Sequence, residues 1–431
     1  MKKMMRVSRR KLIGGAALVG AGLYITKPIK RDKSGPRNPY FTDMQSALRK
    51  AGVATPTLVL DLDRLDKNIE TLISDLPKGM GHRVPSKSLP SQKLLEHVLA
   101  KTQSPRLMTF HLPMLLDISK TLPEIDQLLG KPLPVDGVSA YFENLPPSQT
   151  SSADRVQWLI DTPLRLSQYG RLAKALGLRL RVNLELDVGL HRGGFLPESS
   201  DFQSVLNSIE AHPNLEFSGF MGYEPHITAL PKAFGMRNTA KQAAWKAYEI
   251  ANYKAVETFK PELLQRATRN AAGSPTYKLY SDTAIANEVS VGSGLVKPTK
   301  FDTDLLSEFL PACFIAAPVL KTMEQTQIPG LEALTDIQSR MNPNKKKTVF
   351  TAGGYWKAVP VDPPGLQFNG LYGRSTNQEM LNGGENLSLI PDDFVFLRPE
   401  QSEFVFLQFG DLAIYSKGEI TEFWPVYSGS A

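Results

Sequence analysis

Only one cysteine, Cys313, occurs in the 431 residues, so no internal disulfide can form. Six histidines are present, none beyond His226, and none stands at zinc-ligand spacing from the cysteine, which excludes a zinc finger. No apolar run reaches the roughly 20 residues that a bilayer-spanning helix needs. Gly and Pro, 32 of each, fall well short of the share that marks low-complexity chains. With 42% hydrophobic and 22% charged residues, the chain has the composition of a folded protein. Its length exceeds that of one ordinary core, so two domains, or a barrel with a smaller module, are expected.

The formal charge of +7 is unevenly placed. Residues 1–37 hold eleven Lys and Arg against the single acid Asp32, a surplus of +10 that leaves −3 for the remainder. A mildly acidic body lacks the cationic footprint that binding to a nucleic-acid backbone requires, so no nucleic-acid partner is expected. Within the basic segment, Ser8-Arg9-Arg10-Lys11-Leu12-Ile13 precedes a Gly/Ala/Leu/Val run of about 14 residues, the charged and apolar regions of an export signal in order. The arginine pair resembles the twin-arginine signal, which implies a periplasmic destination. No clean small-x-small cleavage site follows Tyr24, so an uncleaved tether to the inner membrane is a second reading. Residues 1–48 are therefore assigned to signal and linker.

From residue 52 to about 300, short apolar runs alternate with helical patterns, the signature of βα units on a parallel sheet. Strands are expected at 58–62, 81–84, 107–110, 137–141, 156–160, 178–186, 217–223, 266–270 and 288–292. Eight or nine strands over some 240 residues suit a closed (β/α)8 TIM-like barrel. Beyond residue 300 come short alternating runs at 314–320, 348–351, 393–397 and 412–415, separated by turn-rich segments. They predict a β-rich C-terminal domain over 301–431.

In such a barrel, reacting groups sit just past the C-terminal ends of strands. There the chain has Arg83-Val84-Pro85-Ser86-Lys87-Ser88, then Asp187-Val188-Gly189-Leu190-His191-Arg192-Gly193-Gly194. Gly222-Tyr223-Glu224-Pro225-His226 and Asn270-Ala271-Ala272-Gly273-Ser274-Pro275-Thr276 follow. Lys87 is expected to be sheltered from water at the barrel mouth, a setting that suits a Schiff-base amine. The Gly-Ser-Pro-Thr segment offers backbone N–H groups and hydroxyls to an anion such as phosphate. Taken singly each is ordinary: a strand-end lysine is usually solvated, and Gly-Ser-Pro-Thr is usually only a turn.

Their order along the chain is more specific. Thr55-Pro56-Thr57-Leu58-Val59-Leu60-Asp61, the pair Arg83 and Lys87, Asp187-Val188-Gly189 with Arg192-Gly193, Gly222-Tyr223 with His226, Gly273-Ser274-Pro275-Thr276, and the run 288–294 resemble the fold-type III pyridoxal phosphate enzymes. The resemblance is to the D-threonine aldolase and D-serine dehydratase group, related to alanine racemase through its N-terminal barrel. It implies pyridoxal 5′-phosphate as cofactor, Lys87 as its Schiff-base lysine and Arg192 beside its ring. Tyr223, Gly273, Ser274 and Thr276 would lie around the phosphate, with Gly292 and Ser293 in support. His191 or His226 would act as a second acid/base, on a small amino-acid substrate in a homodimer.

The chain also departs from that pattern. Pro85 stands where a histidine is frequent, and Ser88 replaces a threonine. Where metal-dependent relatives carry a histidine and then a His-x-Cys or His-x-Asp pair, this chain has Met380, Gln401 and Glu403. Met and Gln are poor ligands for a hard divalent ion, so the usual metal site is expected to be missing. An oxygen-only site from Glu379 and Glu403 is the alternative. The resemblance thus implies a lyase or racemase acting on a D- or β-hydroxy-amino acid. A second reading is an exported protein that keeps the cofactor with reduced or lost catalysis.

Overall fold

The computed structural model describes residues 31–332 and 342–428. The basic and apolar stretch with Arg9-Arg10 lies outside them. The chain divides into two compact units, one of 46–316, 356–359 and 397–431, the other of 1–45, 317–355 and 360–396. The C-terminal segment from Leu397 thus groups with the barrel rather than with a domain running from 301 to the end. Residues 39–50, read as linker, form a helix in which Met44 and Leu48 are fully buried. Its Phe41, Met44, Leu48 spacing is helical, but it is short and led by a proline, which masks it.

The first strand, β1 (Thr57–Asp61), is not a barrel stave. It runs antiparallel to residues 313–316 and parallel to a later strand, Leu412–Ser416. The barrel is β2 (Gly81–Pro85), β3 (Arg106–Thr109), β4 (Asp126–Leu129), β5 (Val156–Ile160), β6 (Leu180–Glu185), β7 (Leu215–Met221), β8 (Thr268–Ala271) and β9 (Glu288–Ser290). All eight pair in parallel, and β9 closes on β2. β4 escaped the sequence reading because Asp-Gln-Leu-Leu has no β-branched residue, and its order comes from ladder bonds to both neighbours. Residues 137–141, expected as a strand, belong instead to the helix Val135–Asn144, in which Val138 and Tyr141 bury one face at helical spacing.

Local chemistry starts and stops the surrounding helices. Thr162 Oγ1 accepts from the Arg165 N–H with Pro163 at the first helical position, and Gly177 ends that helix at φ 64°. Ser199 caps Ser200–Ala211 in the same way. Inside the barrel lies a polar layer. Arg83, fully buried, donates to both oxygens of Glu288 at 2.5 and 3.0 Å and pairs with Asp126 at 2.7 Å. Burial opposes charge on Asp126, yet Arg83 and Arg181 outweigh it and hold its carboxyl below its ordinary value. Asn270 Nδ2 donates to Glu288 at 2.9 Å, and Asn183 to Gln157 at 3.1 Å. These bonds tie β2 to β4 and β9, β8 to β9, and β5 to β6 below the barrel mouth.

Further strands are β10 (Cys313–Met323), β11 (Lys347–Ala352), β12 (Ala358–Asp362), β13 (Gln367–Phe368), β14 (Gln378–Gly383), β15 (Phe394–Pro399), β16 (Leu412–Ser416) and β17 (Glu419–Trp424). In the unit that lacks the barrel, β11 pairs antiparallel with 319–323 of β10 and with β14, which pairs in turn with β13. In the barrel unit, β16 pairs antiparallel with β17. The architecture is a TIM-like barrel with a separate, mostly antiparallel sheet.

Candidate active site

One cavity of about 110 Å³ opens at the C-terminal ends of the barrel strands, where loops from β2, β3, β4, β6, β7, β8 and β9 converge. Lys87 lies in the 3-10 turn Ser86–Ser88 directly after β2, and Ser86 Oγ anchors that turn by donating to the Met108 carbonyl at 3.0 Å. The Lys87 ammonium sits 4.6 Å from the centre of the Phe110 ring and 3.2 Å from Glu403 Oε1. Gly130 makes room for that ring, since a Cβ there would lie 2.3 Å from Phe110 Cε1. Lys87 was expected to be sheltered from water, but its side chain keeps 38% exposure. The amine is held by an ion pair rather than by desolvation.

From the end of β8, two strands round the barrel from β2, comes the turn Ala272-Gly273-Ser274-Pro275. Three glycines shape this region. A Cβ on Gly273 would lie 2.5 Å from Tyr223 Cε2, one on Gly292 2.8 Å from Ser88 Cβ, and one on Gly294 2.9 Å from Ser274 Cβ. Ser274 Oγ accepts from the Gly294 N–H at 2.9 Å, and Ser293 Oγ shares a hydrogen bond with Ser402 Oγ at 2.9 Å. Burial, with added repulsion from Glu224 and Glu403, pushes the Tyr223 phenol up to about 12, so it remains a neutral donor. The Arg192 guanidinium lies 5.8 Å from the centre of the Tyr223 ring.

Lys87, Arg192, Tyr223, Gly273, Ser274, Gly292 and Ser293 therefore line one cavity, as the sequence suggested. Three expected residues do not. Thr276 is fully buried, its hydroxyl donates to Glu224 Oε1 at 2.8 Å, and it accepts from the Gly273 N–H, so it shapes the turn from behind. His191, at φ 55° and with a side chain 78% exposed, bonds Asp187 Oδ2 at 2.9 Å and braces its own loop. His226 opens the short helix His226–Ala229 beside Gly189; burial and the nearby His191 hold its imidazole below its ordinary value. Neither imidazole reaches the cavity wall.

Two residues acquire roles that no local pattern announced. Glu224 is wholly buried and accepts from Thr276 Oγ1 and, at 3.3 Å, from the Ala272 N–H, so it clamps both ends of the turn. Burial pushes its carboxyl up to about 7, with those hydrogen bonds pulling against the rise. Glu403 was noted only at a metal-ligand position, and here it partners Lys87. Of the other residues at such positions, Gln401 accepts from Lys357 Nζ at 2.6 Å and Met380 is buried. Glu379 Oε2 accepts from the Tyr355 N–H at 2.6 Å and from Arg374 Nε at 2.8 Å. Among the described residues there is no group of three or more His, Cys, Asp or Glu placed to hold a metal ion.

Comparison with known proteins agrees with this geometry. The chain is 26% identical over 275 residues to 3-hydroxy-D-aspartate aldolase of Paracoccus denitrificans, a match that spans 61% of this chain and 66% of that enzyme's length. Among solved structures, D-threonine aldolase from Filomicrobium marinum superposes with a TM-score of 0.68 at 15% identity, covering 93% of this chain and 98% of that one. D-threo-3-hydroxyaspartate dehydratase from Delftia sp. HT23 gives 0.66 at 13% (88% and 98%), and alanine racemase of Clostridium difficile 630 gives 0.63 at 14% (86% and 98%). These three share the fold. The model of the alanine racemase N-terminal domain matches residues 60–299, more than half of the chain. The protein is thus a member of the alanine racemase N-terminal domain family, the fold-type III pyridoxal phosphate enzymes.

Proposed function

We propose that this protein is a pyridoxal phosphate-dependent lyase or racemase that breaks a bond at Cα of a D- or β-hydroxy-amino acid, with the cofactor joined to Lys87. The observation that carries this reading is that the Lys87 amine and the Gly273-Ser274-Pro275 turn line the same cavity. The residues fit such a group. An amine and a turn with hydroxyl and N–H donors line one cavity, and Gly273, Gly292 and Gly294 let the loops around it pack more closely than any Cβ would allow. Bound there, the cofactor supplies an electron sink for the bond broken at Cα.

The chain's own residues have distinct parts in this reading. Ser274, Ser293 and the turn backbone offer donors to a phosphate. Tyr223, a neutral phenol, and Arg192 orient a ring from the β6 and β7 side. The Lys87 amine is the base positioned to take or return a proton at Cα of a bound substrate. Phe110 keeps bulk water off one side of the amine. The named activity of the Paracoccus relative, an aldolase, favours carbon–carbon cleavage among the routes.

Purified protein treated with borohydride should carry a reduced cofactor on Lys87, located by peptide mass, and Lys87→Ala should lose the visible absorbance. Unchanged absorbance in Lys87→Ala would overturn the assignment. A panel of D- and L-amino acids then names the reaction from keto acid, glycine plus aldehyde, or the mirror-image acid; silence across the panel favours the reading as a binding protein without turnover. The same proposal has the chain exported by the twin-arginine route and acting as a homodimer. It is supported by Ser8-Arg9-Arg10-Lys11 before its apolar run. Changing Arg9-Arg10 to Lys-Lys should retain the protein in the cytoplasm, and the mass in solution should be twice that of the chain.

A further inference from the structure

Among the described residues lining the cavity, Glu403 is the only acid; Lys87 and Arg192 are the cations. Its position is built in. Glu403 begins the turn of helix Glu403–Phe406, whose Val405 and Phe406 are fully buried. The preceding Ser402, also buried, bonds Ser293 Oγ at 2.9 Å, and the Glu400 N–H donates to the Lys357 carbonyl at 2.8 Å. The carboxylate is thereby held 3.2 Å from the Lys87 amine, while its side chain stays 38% exposed toward the cavity.

We propose that Glu403 is a specificity-determining residue that excludes substrates bearing a side-chain carboxylate and favours amino acids whose side chain offers a hydrogen-bond donor or a cation. The inference rests on the assignment of Lys87 as the cofactor lysine. A substrate's reacting Cα must come within reach of the Lys87 nitrogen, so a group on its Cβ that turns toward Glu403 can approach that carboxylate to roughly 5 Å. With Lys87 committed to the cofactor, the wall keeps one cation and one acid. Arg192, beside the ring, is the one other cation among the described residues of the wall. A second carboxylate that meets no further cation there adds its charge to that of Glu403. At an effective dielectric of about 20, two like charges at that separation disfavour binding by on the order of a hundredfold, and partial exposure lowers this toward tenfold. Building repulsion against a competitor is an ordinary route to selectivity.

The test uses holoenzyme and an isosteric pair, aspartate and asparagine, each as the D and the L form, with binding read from the change in cofactor absorbance rather than from turnover. Wild type should bind asparagine at least tenfold more tightly than aspartate of the same hand, and high salt should narrow the ratio. Glu403→Gln should bring the two within about twofold. A residue that merely holds Lys87 would alter cofactor loading and leave the ratio unchanged. Equal binding of the pair by wild type, or a preference that survives in Glu403→Gln, overturns the proposal. Absence of any borohydride-trapped cofactor on Lys87 is a separate result, which overturns the cofactor assignment and this inference with it.

Discussion

Glu224 offers a sharp test of how the cradle is held. Its carboxyl is fully buried behind the turn, faces the phenols of Tyr248 and Tyr280, and is pushed by burial from an ordinary 4.5 up to about 7. The folded state therefore keeps this proton to a higher pH than the unfolded chain does. The stability it contributes is fully present below 4.5 and is lost as pH rises through about 7. Between pH 5 and pH 8 the loss is about 2–3 kcal/mol, at roughly 1.4 kcal/mol per unit of separation. Glutamine has the size of the neutral acid and does not titrate, and it can still accept from Thr276. Glu224→Gln should thus resemble wild type in urea unfolding at pH 5 and gain on it by about 2–3 kcal/mol at pH 8. Glu224→Ala should instead be less stable at both, because it strands the Thr276 hydroxyl and the Ala272 N–H at about 1–3 kcal/mol each. A wild-type to Glu224→Gln difference that does not move with pH would refute the reasoning.

Other substitutions separate positioning from packing. In Gly292→Ala the new methyl meets Ser88 Cβ at 2.8 Å and Pro85 Cδ at 3.1 Å. It should cost about 1–3 kcal/mol and weaken cofactor retention in an absorbance titration, because the residue it displaces follows Lys87. Arg83→Met removes the buried cation between Glu288 and Asp126, leaving Glu288 with Arg106 and Asp126 with Arg181, and should destabilise by about 2–4 kcal/mol, whereas pairing it with Glu288→Met should recover much of that loss in thermal melts. His191→Ala should leave kcat/KM within about twofold, since an exposed ring braced on Asp187 touches no cavity residue; a hundredfold drop would show that its loop reaches the substrate.

The barrel was legible because its staves alternate with helices that carry their own start and stop signals, Thr162-Pro163 and Ser199 among them. The two strand errors share a cause. In β4 and at 137–141 the deciding force is tertiary: ladder bonds order Asp-Gln-Leu-Leu, and a buried helical face claims Val138 and Tyr141 despite their β preference. The exclusion of β1 from the barrel was equally hidden, since its five buried residues read the same in either sheet.

Site residues divide along the same line. Lys87, Tyr223, Gly273 and Gly292 lie two residues past strand ends, and Arg192 lies in the loop after β6, so sequence position brings them to the mouth. Thr276 follows β8 as well, yet its hydroxyl is spent on Glu224, and no spacing rule distinguishes a hydroxyl facing a ligand from one facing its own loop. Glu403 is the opposite case. It lies 316 residues from Lys87 along the chain, and long-range contacts, such as that between Ser402 and Ser293, bring it to the amine. A residue whose role depends on such a contact can be named from sequence only through the register of relatives. There the position suggested a missing metal ligand, whereas the geometry puts a negative charge beside the reacting centre. That charge, more than the cavity's shape, should govern which amino acids enter.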